Sequence, residues 1–207
     1  MTAEFAAHDP AYRSVDPPVP SSSPAQKGSG RSAAKLIVPV LIGGAVALSL
    51  GVYGRVHEPT RYAFNLPGFS GAIYVKVWLA TLAVTLALVQ LVSALAMYGK
   101  LPGVSNAPNW VGRLHRWSGR GAFLAAVPVA VFCLYALGFE STSPRVLIHS
   151  LVGCFFFGAF TVKMLVLSRK GMPGWALPLF GGLVFTSLVV LWLTSSLWFF
   201  TTRGVHF

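Results

Sequence analysis

Two of the five histidines stand in the same local setting. His115 opens the run His115-Arg116-Trp117-Ser118-Gly119, and His149 opens His149-Ser150-Leu151-Val152-Gly153, so a glycine follows each imidazole four positions on. On a helix, residues four apart share a face, and the glycine leaves a flat gap beside the ring. A porphyrin edge can lie in such a gap, and neutral imidazole is a common axial ligand of haem iron. From His115 the same face runs on through Ala122, Ala126, Ala130 and Cys133, a groove of small residues; from His149 it runs on through Phe156 and Phe160, an aromatic wall. The expected chemistry is b-type haem binding and electron transfer, with His115, Gly119, His149 and Gly153 as cofactor-binding residues. The competing reading gives the glycines to close helix packing and places His115 in an interfacial cluster with Trp110, Arg113, Arg116, Trp117 and Arg120.

The elements that carry these residues follow from composition. Of 207 residues, 55% are hydrophobic and 10% charged, against roughly 25% charged in an average soluble domain. Mean hydropathy is +0.67. The apolar residues gather into five runs, Lys35 to Tyr53, Gly71 to Tyr98, Val111 to Gly138, Val146 to Ser168 and Trp175 to Phe200. Each is long enough to cross ~30 Å of hydrocarbon at ~1.5 Å per residue. Lipid offers the backbone no hydrogen-bond partner, so the runs must be helices, and the alternation of a membrane barrel is absent. The expected fold is an all-α, polytopic bundle of five transmembrane helices over residues 35–207. Pro39, Pro128 and Pro178 mark kinks or first-turn positions.

Residues 1–34 carry Pro10, Pro17, Pro18, Pro20 and Pro24 and the run Ser21 to Ser23 without an apolar period, so a disordered tail is expected. No small-residue cleavage site follows the first apolar run, which is expected to remain in the protein. Basic residues set the orientation. Arg13, Lys27, Arg31, Lys35, Lys100, Arg113, Arg116, Arg120, Arg169 and Lys170 fall on one side, against Arg55, Arg61, Lys76, Arg145 and Arg203 on the other. This places the tail in the cytoplasm of a multi-pass protein of the cell (plasma) membrane. Trp192, Trp198, Phe199 and Phe200 would anchor the outer interface. The net charge of +11 flanks apolar spans, which suits topology and anionic lipid headgroups and argues against nucleic acid.

Several chemistries are excluded or set aside. Glu4, Asp9, Asp16, Glu58 and Glu140 all lie outside the spans, so no carboxylate proton relay crosses the membrane. No histidine stands in a motif with a nucleophile and an acid, and no phosphate-binding glycine loop occurs. Lys76 and Lys163 are read as snorkelling to the nearer interface. Gln90 and Ser93 are read as interhelical hydrogen-bonding groups, Gly43-Gly44 and Gly181-Gly182 as packing sites, and Cys133 and Cys154 as small packing residues.

Spans three and four run antiparallel, which sets His115 ~35 Å of helix from their shared hairpin and His149 ~4 Å from it. The two therefore serve separate sites. Second-ligand candidates are Met97, Met164 and Lys163 for His115, and His57 and His206 for His149.

At the two His-x-x-x-Gly motifs the chain resembles transmembrane b-type cytochromes, in particular the ascorbate-linked di-haem group with its His-Ser-x-x-Gly and His-Arg-x-x-Gly, and more loosely the ferric-reductase-like membrane domains. The resemblance implies haem b and passage of electrons between an outer donor and an inner or quinone acceptor. As a whole the chain is similar to a family of five-span proteins of unknown function found in actinobacteria, which implies a topology and no activity. The function to be tested is a b-type haem-binding subunit of a transmembrane electron-transfer system, working with membrane lipid and a redox or membrane-complex partner protein. The alternative is a non-catalytic membrane subunit or scaffold without cofactor.

Overall fold

The computed structural model describes residues 34–62, 65–103 and 107–206. The tail expected over residues 1–34 therefore lies outside the described residues apart from Ala34. Five helices fill the rest, α1 (Ile37–Val56), α2 (Ala72–Met97), α3 (Asn109–Leu137), α4 (Pro144–Ser168) and α5 (Ala176–Arg203), with no strand among the described residues. The shortest has 20 residues, about 30 Å of helix, enough to cross hydrocarbon. Their ends fall within three residues of those read from the apolar runs.

Large apolar side chains point outward: Leu48 and Leu124 are each 69% exposed. Lipid is the solvent such a surface requires, and the protein is an integral membrane protein. What lies inside is small. One core cluster joins Ala83, Ala87, Ala125 and Ala126 to Phe156 and Leu188, and a second joins Leu36, Val162, Val166 and Ala176. The end of the bundle with the loops after α1 and α3 is called here the His149 end, and the opposite one the His115 end.

The helices do not pack in chain order. α1 lies chiefly on α4, α2 on α3, and α5 on α4 and α2, whereas α3 and α4 scarcely approach each other. Between α3 and α4 the gap is spanned by rings, with Phe123 stacked on Phe160 at 4.2 Å between centroids. The α1–α4 contact rests on two glycines: a Cβ on Gly158 would lie 2.6 Å from the Gly43 carbonyl oxygen, and the reverse holds too. Of the paired glycines expected to pack, only Gly43 does so, since a Cβ on Gly44, Gly181 or Gly182 would meet nothing within 4 Å. The partner of Gly43 is a single glycine on a distant span, which a search for adjacent pairs passes over.

Two helices loosen near the His149 end. Pro128 lies inside α3, and from Phe132 to Leu137 the helix widens by one residue per turn. α5 widens over Leu193–Leu197, where the hydroxyls of Thr194 and Ser195 donate to the carbonyls of Val190 and Leu191, both at 2.7 Å, and so compete with the backbone ladder. α3 ends at Gly138, whose φ of 76° suits glycine. The Tyr135 and Ala136 carbonyls left over are met by the backbone N–H groups of Thr60 and Arg61, both at 3.2 Å. Ser143 starts α4 by accepting from the Val146 N–H at 3.3 Å, with Pro144 in the first turn.

Pro39 and Pro178 occupy the first turns of α1 and α5, as read from the sequence. Trp192, Trp198, Phe199 and Phe200 are more than an interface belt. Trp192 donates to the Thr81 hydroxyl at 3.0 Å, and Phe199 and Phe200 pack edge-on against Tyr74 and Trp78.

A Gly158→Ala variant is expected to lose about 1–3 kcal/mol, the usual cost of overpacking, because its methyl group meets α1 backbone. Gly182→Ala should leave stability unchanged or slightly raised. Thermal unfolding of both in detergent checks the contrast.

Candidate functional site

His115 sits in the first two turns of α3 and faces α2. Its Nδ1 lies 3.0 Å from the Ser93 Oγ and 3.1 Å from the Gln90 carbonyl oxygen, and the Ser93 hydroxyl donates to that same carbonyl at 3.0 Å. The Gln90 carboxamide donates to the His115 carbonyl at 2.9 Å and lies 3.4 Å from His115 Nε2. With the imidazole proton on Nδ1, both ring nitrogens are served by α2. The gap beside the ring is also taken, because a Cβ on Gly119 would collide with the Gln90 carboxamide. In this structure the space left by the missing side chain of Gly119 admits Gln90. Gln90 and Ser93 do form the interhelical hydrogen bonds expected of them.

Of the second-ligand candidates for His115, Met97 comes near Gly112 of α3, Met164 is 42% exposed, and Lys163 lies within electrostatic reach of His115.

His149 differs at each point. It lies in the second turn of α4, and its Nδ1 is 3.0 Å from the Thr194 Oγ. The Thr194 hydroxyl proton is already spent on the Val190 carbonyl, so the oxygen accepts from Nδ1–H. The proton is fixed on Nδ1, and Nε2 keeps the lone pair that a metal or a donor would use. Space exists on this side. His149 lines a central cavity of about 500 Å³, with walls from all five helices, within the size range of roughly 300–1,000 Å³ typical of small-molecule sites. Gly153 lines it as well, and a Cβ there would meet only Leu191, at 3.8 Å.

The groove of small residues read along α3 ends in this cavity. Ala126, Ala130 and Cys133 line it together with His149, and so does Cys154. The groove and the second histidine were expected at separate sites; the structure brings them to one. Both cysteines are free thiols.

Lys76 and Arg145 also line the cavity. Lys76 was expected to snorkel outward; instead its Nζ stands 5.3 Å over the Phe132 ring. Arg145 stacks 3.8 Å over the Trp198 ring and donates to the Thr194 carbonyl. The sequence offered one signal for this pair, a cation at the start of α2 and another at the start of α4, without showing that both turn inward.

Neither second-ligand candidate for His149 lines the cavity. His57 is stacked between Tyr53 and Tyr135, at 4.9 and 5.1 Å between centroids, and its buried Nε2 has no hydrogen-bond partner among the described residues. The His206 carbonyl accepts from the Trp78 indole at 3.0 Å, and its ring meets Tyr74 edge-on. No group of three or more metal-binding side chains occurs among the described residues.

Fold and site together define a five-helix membrane bundle with a cavity among its helices and a histidine whose Nδ1 is held by a neighbouring threonine. The chain matches the family of unknown function DUF6529 over residues 36–207 and belongs to it. No curated protein and no solved structure matches it.

Replacing Gly119 by Ala should cost about 1–3 kcal/mol, since the Gln90 carboxamide must leave its buried partners. In Gln90→Ala with Gly119→Ala the steric part disappears, so the two losses should fall short of adding by about 0.5–3 kcal/mol, the range for directly coupled residues. A double-mutant cycle of thermal stabilities in detergent measures this.

Proposed function

We propose that the protein is a membrane-embedded b-type haem protein that holds a single haem in the central cavity with His149 as axial ligand. The observation that carries this reading is the 3.0 Å contact of His149 Nδ1 with a Thr194 hydroxyl that itself donates to Val190, in a histidine lining a cavity, which assigns the proton to Nδ1 and the lone pair to Nε2. The donor set and the space fit the group: imidazole supplies the ligand, Gly153 a flat gap, and Ala126 and Ala130 a smooth wall. His115 does not fit it, because Gln90 fills the place an edge would take. The reading is therefore one haem rather than two.

Bound haem supplies a one-electron carrier within the bilayer. The chain itself orients His149 through Thr194 and packs apolar side chains around the site. The cavity lining contains no methionine and no histidine other than His149 among the described residues, so the expected iron has one imidazole from the protein. In this reading the His149 end faces outward, as the basic residues concentrated at the His115 end require. A redox partner protein then meets the bundle at that end.

A cofactor-free membrane subunit is the second reading. The His115–Gln90–Ser93 cluster favours it, since there a histidine of the same motif serves only to hold two helices together.

The test is a reduced-minus-oxidised spectrum of the full chain, expressed with haem supplied and purified in detergent. A b-type band is expected, absent from His149→Ala and retained in His115→Ala. Thr194→Val should weaken haem retention by roughly 10- to 100-fold, the usual effect of losing an outer-shell partner. A wild-type protein without the band would end this reading and leave the cofactor-free one.

A further inference from the structure

Lys76 and Arg145 are hard to explain by topology alone. They come from different helices, both at the His149 end, both partly buried, and both in the wall of one cavity. Neither is paired with a carboxylate among the described residues; their recorded contacts are with rings and, for Arg145, the Thr194 carbonyl. A ring face holds a cation in place without neutralising it. Glu140, the one acid in the cavity wall, is tied through its backbone to the Ser150 hydroxyl and forms no ion pair with either cation. Two like charges in the wall of one space, with no carboxylate paired to either, favour an anion there.

Most of the remaining wall is apolar, with Val77, Ala80, Ala130 and Leu188 among its residues. A second apolar space of about 340 Å³ lies between α1 and α3. It shares Leu50, Ala130, Leu134 and Phe157 with the central cavity, so the two adjoin. The charged rim and the oily interior together describe the shape of an acidic amphiphile.

We infer that Lys76 and Arg145 are a carboxylate-binding pair, and that the cavity receives an amphiphile whose acidic groups lie at these two residues and whose apolar body lies beneath. Haem has this character through its two propionates, and a fatty acid has it through its single carboxylate. The inference goes beyond iron ligation at His149 and does not depend on it.

The test compares each acid with its neutral ester, using haem against haem dimethyl ester and oleate against methyl oleate. Affinities for the full chain in detergent are read from quenching of tryptophan fluorescence, with brominated forms for the oleate pair. In at least one pair the acid should bind roughly tenfold tighter than the ester, the scale of one charge-assisted contact. Lys76→Gln and Arg145→Gln should each reduce that preference severalfold while leaving ester affinity unchanged, and Lys76→Arg and Arg145→Lys should keep it. The wild-type comparison needs no variant to fold. Equal binding of acid and ester in both pairs, binding of neither pair, or an undiminished preference in both glutamine variants would overturn the inference. Haem bound without preference for its acid form, with oleate equally indifferent, removes the carboxylate pair but leaves haem at His149. Oleate preferred, with no haem bound, does the reverse.

Discussion

A bilayer interior gives polar groups nothing to bond to, and the arrangement of this protein follows from that constraint. Each polar side chain brought into the spans has to find its partner on a neighbouring helix or in its own backbone. The hydroxyls of Thr81, Thr85, Thr161 and Ser187 turn back to carbonyls one turn earlier. Ser196, fully buried, reaches across to the Val77 carbonyl at 3.1 Å. The two histidines meet the same demand in different ways. His115 is enclosed by α2 on both nitrogens, whereas His149 is served on one side only, and the asymmetry separates a packing element from a candidate ligand.

The cavity has an equally simple origin. Ala83 of α2 and Ala126 of α3 leave room in its wall, and elsewhere α3 and α4 stand apart where Phe123 and Phe160 stack between them. The widened turns of α3 and α5 then carry Cys133 and Thr194 to the same space. Thr194 acts twice there: its hydroxyl loosens its own helix and its oxygen fixes the proton of His149. One residue thus links the local shape of α5 to the chemistry available on α4.

Much of the fold was legible in the sequence, because uninterrupted apolar length is enough to define a span and acids keep out of it. Helical period also located the groove of Ala126, Ala130 and Cys133 and the gap beside each histidine. It could not say what enters a gap, since that depends on a residue far along the chain. Gln90 fills one beside Gly119, and only Leu191 approaches the other beside Gly153. The inward turn of Lys76 and Arg145 was hidden for the same reason, as Phe132 and Trp198 belong to other helices. Gly44, Gly181 and Gly182 show the converse: small residues suggest contact, yet these three face open space.

The order in which the helices pack bears on how the protein is made. α1 finds its close neighbour in α4, through Gly43 and Gly158, and has little to do with α2. A ribosome delivers three spans before α4 emerges. During that interval α1 must lodge in lipid or within the insertion machinery with its glycine face uncovered, while α2 and α3 can already pair as a hairpin. The seat of α1 on its glycine partner is therefore completed only once α4 has been made.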